Sequence, residues 1–500
     1  MSGVKSIVAK WLAAWKSKQL HKQAVNGWSL QQRTFDALIK KGKNTAFGRD
    51  HSFDSIKSIR EFQEQVPIRN YEAAKPYFDR IVAGEADVSW PGHPLYLAKT
   101  SGTTSGAKYI PITRESIRKQ INTARDALLL YVHETGNADF FDGKMMFLSG
   151  SPEIEQNSHG MKVGRLSGIV NHFVPAVLTS NRVPTYATNC IEDWEEKVRT
   201  IAQETQSVDL RLISGIPPWV QMFFEELEQQ TGKQPLEVWP NLSVFVQGGV
   251  DFQPYKPIFD AYFGDKVDLI EVFPASEGFF AIQSSQKDNG LLLLPQNGIF
   301  YEFIPMDAYG EPDAPRLCLN EVELDTQYAL IVSTNAGLWA YDIGDTVKFT
   351  SLNPYKLRVT GRTKHFISAF GEHVISEEVN QAIMEATAAT GASFHEFTVA
   401  PRIVEEKGDS CHQWLIEFDQ HPADMDKFAL LLDQSMRKQN TYYDDLREGN
   451  ILRPVEVKRL ELHASRAYMK SQGKLGGQNK FPRLSNSRKI AEALDKYIID

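Results

Sequence analysis

Hydrophobic and polar positions divide the chain into three stretches. Residues 1–90 carry apolar residues at helical spacing, most clearly in Ala24–Lys41 and Ser58–Gln65, which predicts helices there. From about residue 95, short apolar runs alternate with helical patterns, as is typical of an α/β architecture with an extensive sheet. The predicted elements of this second stretch are strands at Leu95–Ala98, Lys144–Leu148, Leu210–Ile213, Ser243–Val246, Asp268–Val272 and Leu330–Ser333, and helices at Trp194–Glu204 and Trp219–Thr231.

The third stretch begins near residue 366 and mixes the two patterns. Its predicted elements are helices at Ser376–Thr390 and Phe428–Lys438, and strands at Glu396–Val399, Gln413–Asp419 and Val455–Glu461. A polar turn just after Gly361 and Arg362 is the expected boundary. The sequence therefore predicts a large N-terminal α/β domain, residues 1–362, and a smaller C-terminal α+β domain, residues 363–500.

The N-terminal helix carries an apolar stripe with lysines near it. The stripe consists of Ile7, Val8, Trp11, Leu12 and Trp15, and the lysines are Lys5, Lys10, Lys16 and Lys18. A basic amphipathic helix can bind a membrane surface. The favoured interpretation is that the apolar stripe docks on the parent domain.

Composition narrows the class of protein. The 500 residues have a formal net charge of -8, so the chain lacks the basic footprint of a general nucleic-acid binder. No apolar run is long enough to predict a membrane-spanning helix. The three cysteines are far apart and match no zinc spacing, which indicates a reducing compartment, and we expect a cytoplasmic location.

A Ser/Thr/Gly-rich segment, Thr100–Lys108, follows the first predicted strand. Glycine lets backbone N–H groups approach phosphate oxygens closely, hydroxyls add further donors, and Lys108 adds a positive charge. The spacing differs from that of a Walker A loop. On composition alone the segment predicts either a phosphate-binding loop or a plain surface loop.

Two further motifs follow later strands. Gly248 and Gly249 would let a flat base lie against the backbone, and Phe273 could form a wall beside it. Ser276 and Glu277 come next, and a carboxylate beside a polyphosphate suits Mg²⁺. The alternative interpretation is a Gly-rich turn followed by a helix, with Ser276 as its N-cap and Glu277 in its first turn.

Three more charged residues lie near glycines. Asp345 follows Gly344 and could accept hydrogen bonds from ribose hydroxyls, or it could be a turn residue at the end of a strand. Arg362 lies at the predicted boundary, as a nucleotide contact or part of a solvated linker. Lys480 lies in a Gly-rich, Pro-fixed segment, where it could reach an anion or belong to a charged surface tail.

The order of these motifs is more specific than any one of them. It resembles the adenylate-forming superfamily and, more closely, the plant auxin- and jasmonate-conjugating acyl acid amido synthetases of the Gretchen Hagen family and their bacterial relatives. The segments that carry the resemblance are residues 43–48, 100–111, 215–218, 248–280, 341–347 and 479–483.

The resemblance implies a large domain that binds ATP and an acyl acid, and a small mobile C-terminal domain. It places Thr100, Ser101, Gly102, Thr103, Thr104 and Lys108 around the phosphates, Gly248, Gly249, Phe273 and Ser276 at the nucleotide, Asp345 at the ribose and Arg362 at the hinge. It assigns Glu277 to Mg²⁺, and it assigns catalysis to Lys480, Glu277 and Thr103.

The implied reaction adenylates a carboxylic acid with ATP and Mg²⁺ and then conjugates the acyl group to an amino acid. An acyl-CoA-forming ligase and a non-catalytic nucleotide-binding scaffold are the alternatives. The expected partners are small molecules rather than nucleic acid, and the expected assembly is a monomer or weak homodimer.

Overall fold

An extensive mixed sheet lies at the centre of the first part of the chain. The computed structural model describes residues 4–100, 108–173, 181–249, 252–288, 290–363, 366–367, 369–370, 372, 374–404, 410–476 and 479–499. The chain divides into two units, Met1–Val359 and Thr360–Asp500.

The helices and strands of the first unit come in the order that the patterns predict. The helices are α1 Val4–Val25, α2 Gly27–Gly42, α3 Ala46–Asp50, α4 Ile59–Gln65, α5 Tyr71–Val82, α6 Arg114–Thr135, α7 Leu166–Asn171, α8 Tyr186–Asn189, α9 Trp194–Thr205, α10 Pro217–Thr231, α11 Pro235–Val238 and α12 Lys256–Phe263. The strands are β1 Tyr96–Thr100, β2 Lys108–Ile112, β3 Lys144–Phe147, β4 Glu155–Gln156, β5 Lys162–Gly164, β6 Arg182–Val183, β7 Leu210–Ser214, β8 Val244–Gly248, β9 Asp268–Pro274, β10 Phe279–Gln283, β11 Leu291–Leu293, β12 Ile299–Pro305, β13 Gln327–Thr334, β14 Tyr341–Leu352 and β15 Tyr355–Arg362, which continues past the end of the unit.

The main sheet joins a parallel half to an antiparallel half. Within the described residues its strand order is β12-β13-β14-β15-β11-β10-β9-β8-β7-β3-β6. The strands β6, β3, β7, β8 and β9 run parallel to one another, while β9–β10 and β12–β13–β14 pair antiparallel. Helices such as α9 and α10 connect the parallel strands, as α/β architecture requires. The α/β prediction for this part of the chain is therefore confirmed.

A smaller sheet contains the two end residues of the first predicted motif, Thr100 and Lys108. Its order is β2-β1-β5-β4, with β1 antiparallel to β2 and parallel to β5. Its apolar side chains, including Leu97 and Ile110, share one hydrophobic cluster with Phe273, Phe280 and Tyr341 of the main sheet. The two sheets therefore share a core beside the strands that carry the later motifs.

The N-terminal helix α1 docks by a different face from the one predicted. Ala9 and Ala13 are buried, and they belong to a cluster with Ala127 and Leu130 of α6. The small alanine side chains let α1 approach α6 closely. The apolar stripe from Ile7 to Trp15 is exposed instead. The prediction that this stripe docks on the domain is wrong, because the helix packs through its narrow alanine face.

The second unit is the predicted α+β arrangement. Its remaining elements are β16 Phe366–Ile367, β17 Val374–Ile375, α13 Ser376–Thr390, β18 Ser393–Arg402, β19 Cys411–Gln420, α14 Met425–Gln439, α15 Thr441–Glu448, β20 Glu456–Leu460, α16 Ala464–Ser471, α17 Lys489–Leu494 and β21 Ile498–Ile499. Strands β18-β19-β20-β21 form one sheet, and α13 and α14 contribute Ile383 and Leu432 to a core with Trp414 of β19. None of the helices that the structure describes is long and apolar enough to cross a bilayer.

Candidate functional site

The phosphate motif begins and ends on one antiparallel strand pair. Thr100 ends β1 and Lys108 begins β2, and the two residues are register partners. The Lys108 ammonium lies 5.4 Å from the centre of the Tyr71 ring, and the Tyr71 hydroxyl accepts from the Tyr109 amide at 2.9 Å. The predicted residues Ser101, Gly102, Thr103 and Thr104 lie outside the described residues.

The double-glycine motif lies at the carboxyl end of β8. A Cβ at Gly248 would lie 2.2 Å from the Val272 carbonyl oxygen, so β8 and β9 could not keep this spacing with a side chain there. Gly249 has a φ of +86°, which favours glycine. Glycine is therefore needed at position 248 because β9 lies too close for a side chain, and it is favoured at position 249 because of the backbone conformation.

Gln247 is a residue that the sequence reasoning did not assign to the site. The residue is 1% exposed, and neither its amide nitrogen nor its amide oxygen has a hydrogen-bond partner among the residues that the structure describes. A buried polar group without a partner costs on the order of 1–3 kcal/mol. The sequence signal that could have identified Gln247 is its position as a polar residue in the otherwise apolar run of β8.

Ser276 and Glu277 lie in the turn between β9 and β10. The turn is closed by two backbone hydrogen bonds between Ala275 and Gly278, of 2.7 and 3.2 Å. The interpretation of Ser276 as a helix N-cap is therefore wrong, because the chain reverses into β10 here. The Gln120 side chain of α6 donates to the Ala275 carbonyl at 3.0 Å, which ties the turn to the helix that follows β2.

Phe273 contributes to the core just before this turn. It is 5% exposed and its ring packs edge-on against Phe280, with 4.9 Å between ring centres. The Phe273 ring is therefore buried in this structure and is not accessible as the predicted wall beside a base.

Asp345 lies within a long strand rather than at its end. In the pairing of β13 with β14, Ile331 faces Asp342 and Ala329 faces Thr346, so three residues of β14 oppose the single residue between them. Gly344 has a φ of +80° and its amide donates to the Asp342 carboxylate at 2.8 Å. The interpretation of Asp345 as a strand-end turn residue is wrong, because β14 continues through it by way of a β-bulge.

Two of the three sheet motifs adjoin the hydrophobic cluster that the two sheets share, and the double glycine lies on the strand next to one of them. Gly248 pairs with Val272, next to Phe273, so the double glycine and the Ser276–Glu277 turn lie at the same ends of neighbouring strands. Phe273 and Ile343 belong to the cluster, together with Ile110 of β2. Carboxyl ends of parallel strands are common ligand sites in α/β proteins.

Arg362 and Lys480 belong to the second unit. Arg362 ends β15 with an exposed side chain, after Gly361, whose φ is +151°. Lys480 is also exposed, and the residues after it run beside β18. The Val399 amide donates to the Arg483 carbonyl at 2.9 Å, and the Arg483 guanidinium pairs with Glu396 at 2.5 Å. The backbone that carries Lys480 is therefore fixed three residues further along, at Arg483.

A buried acid and histidine also lie in the second unit and were missed by the sequence reasoning. Glu372 and His412 are both fully buried, with 2.8 Å between carboxylate oxygen and ring nitrogen. Burial raises the pKa of Glu372, but its hydrogen bonds and the charge of His412 outweigh that effect, and the net pKa is lowered. Asn440 donates to the Glu372 carbonyl at 3.0 Å, which ties Glu372 to the start of α15.

Family models match most of the chain. The GH3 family N-terminal domain matches residues 16–172 and 153–268, its central domain residues 292–362 and its C-terminal domain residues 377–489. The chain belongs to the GH3 family. The resemblance that the motif order predicts is thus confirmed.

Relatives of this GH3 protein match it over most of their length. The 4-substituted benzoates-glutamate ligase GH3.12 of Arabidopsis thaliana is 22% identical over 96% of this chain and 97% of the relative. The indole-3-acetic acid-amido synthetase GH3.8 of Oryza sativa subsp. indica is 26% identical over 97% of this chain and 92% of the relative.

Solved structures show the same fold. The AtGH3.15 acyl acid amido synthetase in complex with 2,4-DB has a TM-score of 0.80 at 17% identity, covering 98% of this chain and 96% of its own. A 2-hydroxyisobutyryl-CoA ligase in the postadenylation state has a TM-score of 0.57 at 12% identity, covering 97% and 91%. The GH3 chain thus has the adenylate-forming fold, with a larger N-terminal and a smaller C-terminal part.

Proposed function

We propose that this GH3 protein is an ATP-dependent acyl acid amido synthetase, which adenylates a carboxylic acid and conjugates the acyl group to an amino acid. The observation that carries the proposal is the match of the family models along most of the chain, which also contains the sheet motifs in the expected order. The printed names of the relatives, an indole-3-acetic acid-amido synthetase and a benzoates-glutamate ligase, support a carboxylic acid and an amino acid as substrates.

The nucleotide base is proposed to bind at the carboxyl end of β8, beside Gly248 and Gly249. The buried Gln247 amide supports this placement, because it has a donor and an acceptor without a protein partner. A base that carries both kinds of group would satisfy them. Asp345 would accept hydrogen bonds from the ribose hydroxyls, since the bulge at Gly344 directs it out of the regular ladder.

The phosphates are proposed to bind at the segment between Thr100 and Lys108. Ser101, Gly102, Thr103 and Thr104 would supply hydroxyl and backbone donors, and Lys108 would add a positive charge. Mg²⁺ takes one or two carboxylates together with phosphate oxygens, and Glu277 would supply such a carboxylate. No group of three or more His, Cys, Asp or Glu that could hold a metal ion occurs among the described residues.

The chemistry requires positioning and charge stabilisation rather than a protein nucleophile. In the first step a substrate carboxylate oxygen attacks the α-phosphorus of ATP, the bond to the bridging oxygen breaks, and pyrophosphate leaves with the electron pair. Lys480 would stabilise the charge on the α-phosphate. In the second step the amine nitrogen attacks the acyl carbon, AMP leaves, and the amine loses a proton.

The wider organisation is part of the same proposal. Residues 1–362 would bind ATP and the acyl acid, and residues 363–500 would form a mobile domain that carries Lys480, with Arg362 at the hinge. We expect a cytoplasmic monomer or weak homodimer.

Product analysis tests the proposal. The purified protein is incubated with ATP, Mg²⁺, a panel of aromatic and aliphatic carboxylic acids, and either amino acids or coenzyme A. The expected product is an amide and AMP, detected by mass spectrometry. Thioester instead of amide would assign the chain to acyl-CoA formation, and no product with any acid would indicate a binding protein. Glu277→Gln should abolish the product, while Glu192→Gln, on an exposed carboxylate outside the motifs, should not.

A further inference from the structure

The exposed face of α1 is apolar in its first half. Trp11 is 73% exposed and Trp15 is 61% exposed, and Ile7, Val8 and Leu12 are exposed beside them. These five residues form the apolar stripe. Leaving the apolar surface of two tryptophans exposed to water is unfavourable in free energy. A cluster of exposed large apolar side chains, unlike single scattered ones, indicates an interaction surface.

Folding does not require the apolar stripe. The opposite face of α1 contacts α6, through Ala9, Ala13 and Leu20. Ser6 donates to the Ala138 carbonyl at 2.9 Å and Lys16 pairs with Asp126 at 2.9 Å, which fixes the helix at two further points. The stripe is therefore presented to solvent by a helix that is already anchored.

The same helix is basic in a chain that is acidic overall. It contains five lysines and no Asp or Glu, while the whole chain has a net charge of -8. Lys10, Lys18 and Lys22 are exposed. Trp11, Trp15, Lys18 and Lys22 follow one another at spacings of four, three and four residues, which places them on one side of the helix. The exposed ridge is thus aromatic at its start and basic towards its end.

Apolar and basic groups together fit an anionic bilayer surface. Tryptophan partitions into the headgroup region of a bilayer, and lysines are attracted to anionic headgroups. A second copy of the chain is a poorer partner, because pairing two such helices would bring lysines against lysines. The GH3 N-terminal model begins at residue 16, just after the apolar stripe ends.

We propose that α1 binds this protein reversibly to the surface of membranes that contain anionic lipid, with the apolar stripe in the headgroup region and Lys18 and Lys22 at the phosphates. The helix lies on the surface and does not span the bilayer. The binding goes beyond the proposed enzyme activity and is independent of it.

Co-sedimentation with vesicles tests the proposal on the full chain. Phosphatidylcholine vesicles with and without phosphatidylglycerol are compared, for the wild type, Trp11→Ala/Trp15→Ala and Lys18→Glu/Lys22→Glu. The wild type should bind the anionic vesicles, and each double variant should weaken that binding by about tenfold or more. High salt should weaken the binding of the wild type as well. The matched control is Leu430→Ala/Tyr442→Ala, which removes two large side chains of the second unit that are 53% and 63% exposed and should bind like the wild type.

Two further measurements report the environment of the tryptophans and the folding of the variant. Binding should shift the tryptophan emission of the wild type to the blue, and the shift should be absent from the Trp11→Ala/Trp15→Ala variant. The melting temperature of that variant should match the wild type, since its side chains are exposed. Lack of binding by the wild type, or equal loss in the control variant, would overturn the proposal. A wild-type dimer that the Trp11→Ala/Trp15→Ala variant converts to a monomer in analytical ultracentrifugation would overturn it too, and would assign the stripe to a second copy.

Discussion

Lys197 is a buried ammonium whose protonation should set how the stability of the first unit depends on pH. It lies on α9 and is 2% exposed. Its amine donates to the carbonyls of Ser149 and Asn189, at 2.9 and 2.6 Å. Burial, together with the nearby charge of Arg165, lowers the pKa of Lys197 to about 8.

The magnitude follows from this shift. A lysine in the unfolded chain has a pKa of about 10.4. Between about pH 8 and pH 10.4 the unfolded chain therefore holds a proton on this amine that the folded chain has released, so the free energy of unfolding rises with pH. The shift from about 10.4 to about 8 corresponds to roughly 3 kcal/mol over that window. Below about pH 8 the folded protein carries the full cost of the buried charge.

Urea unfolding of the wild type, Lys197→Met and Lys197→Arg at several pH values tests the shift. Eight of the nine tryptophans lie in residues 1–359, so a Trp414→Phe background makes fluorescence report the first unit alone. Neither methionine nor arginine titrates in this window. The free energy of unfolding of the wild type relative to either variant should rise by roughly 3 kcal/mol from about pH 8 to pH 10.4. A flat difference with both variants would refute the reasoning, because the buried amine would then keep its proton.

The remaining predictions concern the candidate site and the thiols. Lys480→Ala should slow acyl-adenylate formation by about 100-fold or more while amide formation from supplied acyl-adenylate stays near the wild-type rate; equal loss in both assays would contradict its assignment to the first step. Asp345→Ala should raise the KM for ATP much more than it lowers kcat, and an unchanged KM in steady-state kinetics would rule out the ribose contact. Burial raises the pKa of Cys318 to about 12 and that of Cys411 to about 11, so a thiol reagent near neutral pH should label the half-buried Cys190 and should reach the other two only after unfolding. Labelling of Cys318 or Cys411 in the native protein at the rate of Cys190 would contradict that order.

Periodicity predicts the elements of this fold well where one face is continuously apolar. The helix predicted at Ser376–Thr390 has those bounds in the structure, because Glu377 and Glu378 begin it and Gly391 ends it in a left-handed conformation. The predicted strand at Asp268–Val272 runs on to Pro274. Apolar runs mark the buried centre of a strand, whereas its ends depend on the neighbouring strand.

At the candidate site, the sequence did not predict where the chain reverses and where it continues along a strand. The Ser276–Glu277 pair has the residue types of a helix start, and only the return of the chain into β10 makes it a hairpin turn. Asp345 follows a glycine as turn residues do, yet a bulge lets β14 continue through it. In both cases pairing with another strand decided the geometry.

The N-terminal helix shows the same limit for packing. Its pattern identified the apolar stripe, and the larger apolar face was the natural choice for docking. The structure buries Ala9 and Ala13 instead, because close approach to α6 depends on small side chains. Which face of a helix is buried depends on its partner surface as well as on its own hydrophobicity.

Exchange of labelled pyrophosphate into ATP tests the central claim, carboxylate adenylation, most directly. The wild type should catalyse exchange only when a suitable carboxylic acid is present, without any amine, and Glu277→Gln and Lys480→Ala should lose it. Exchange that needs no carboxylic acid, or no exchange with any acid in a broad panel, would contradict the account.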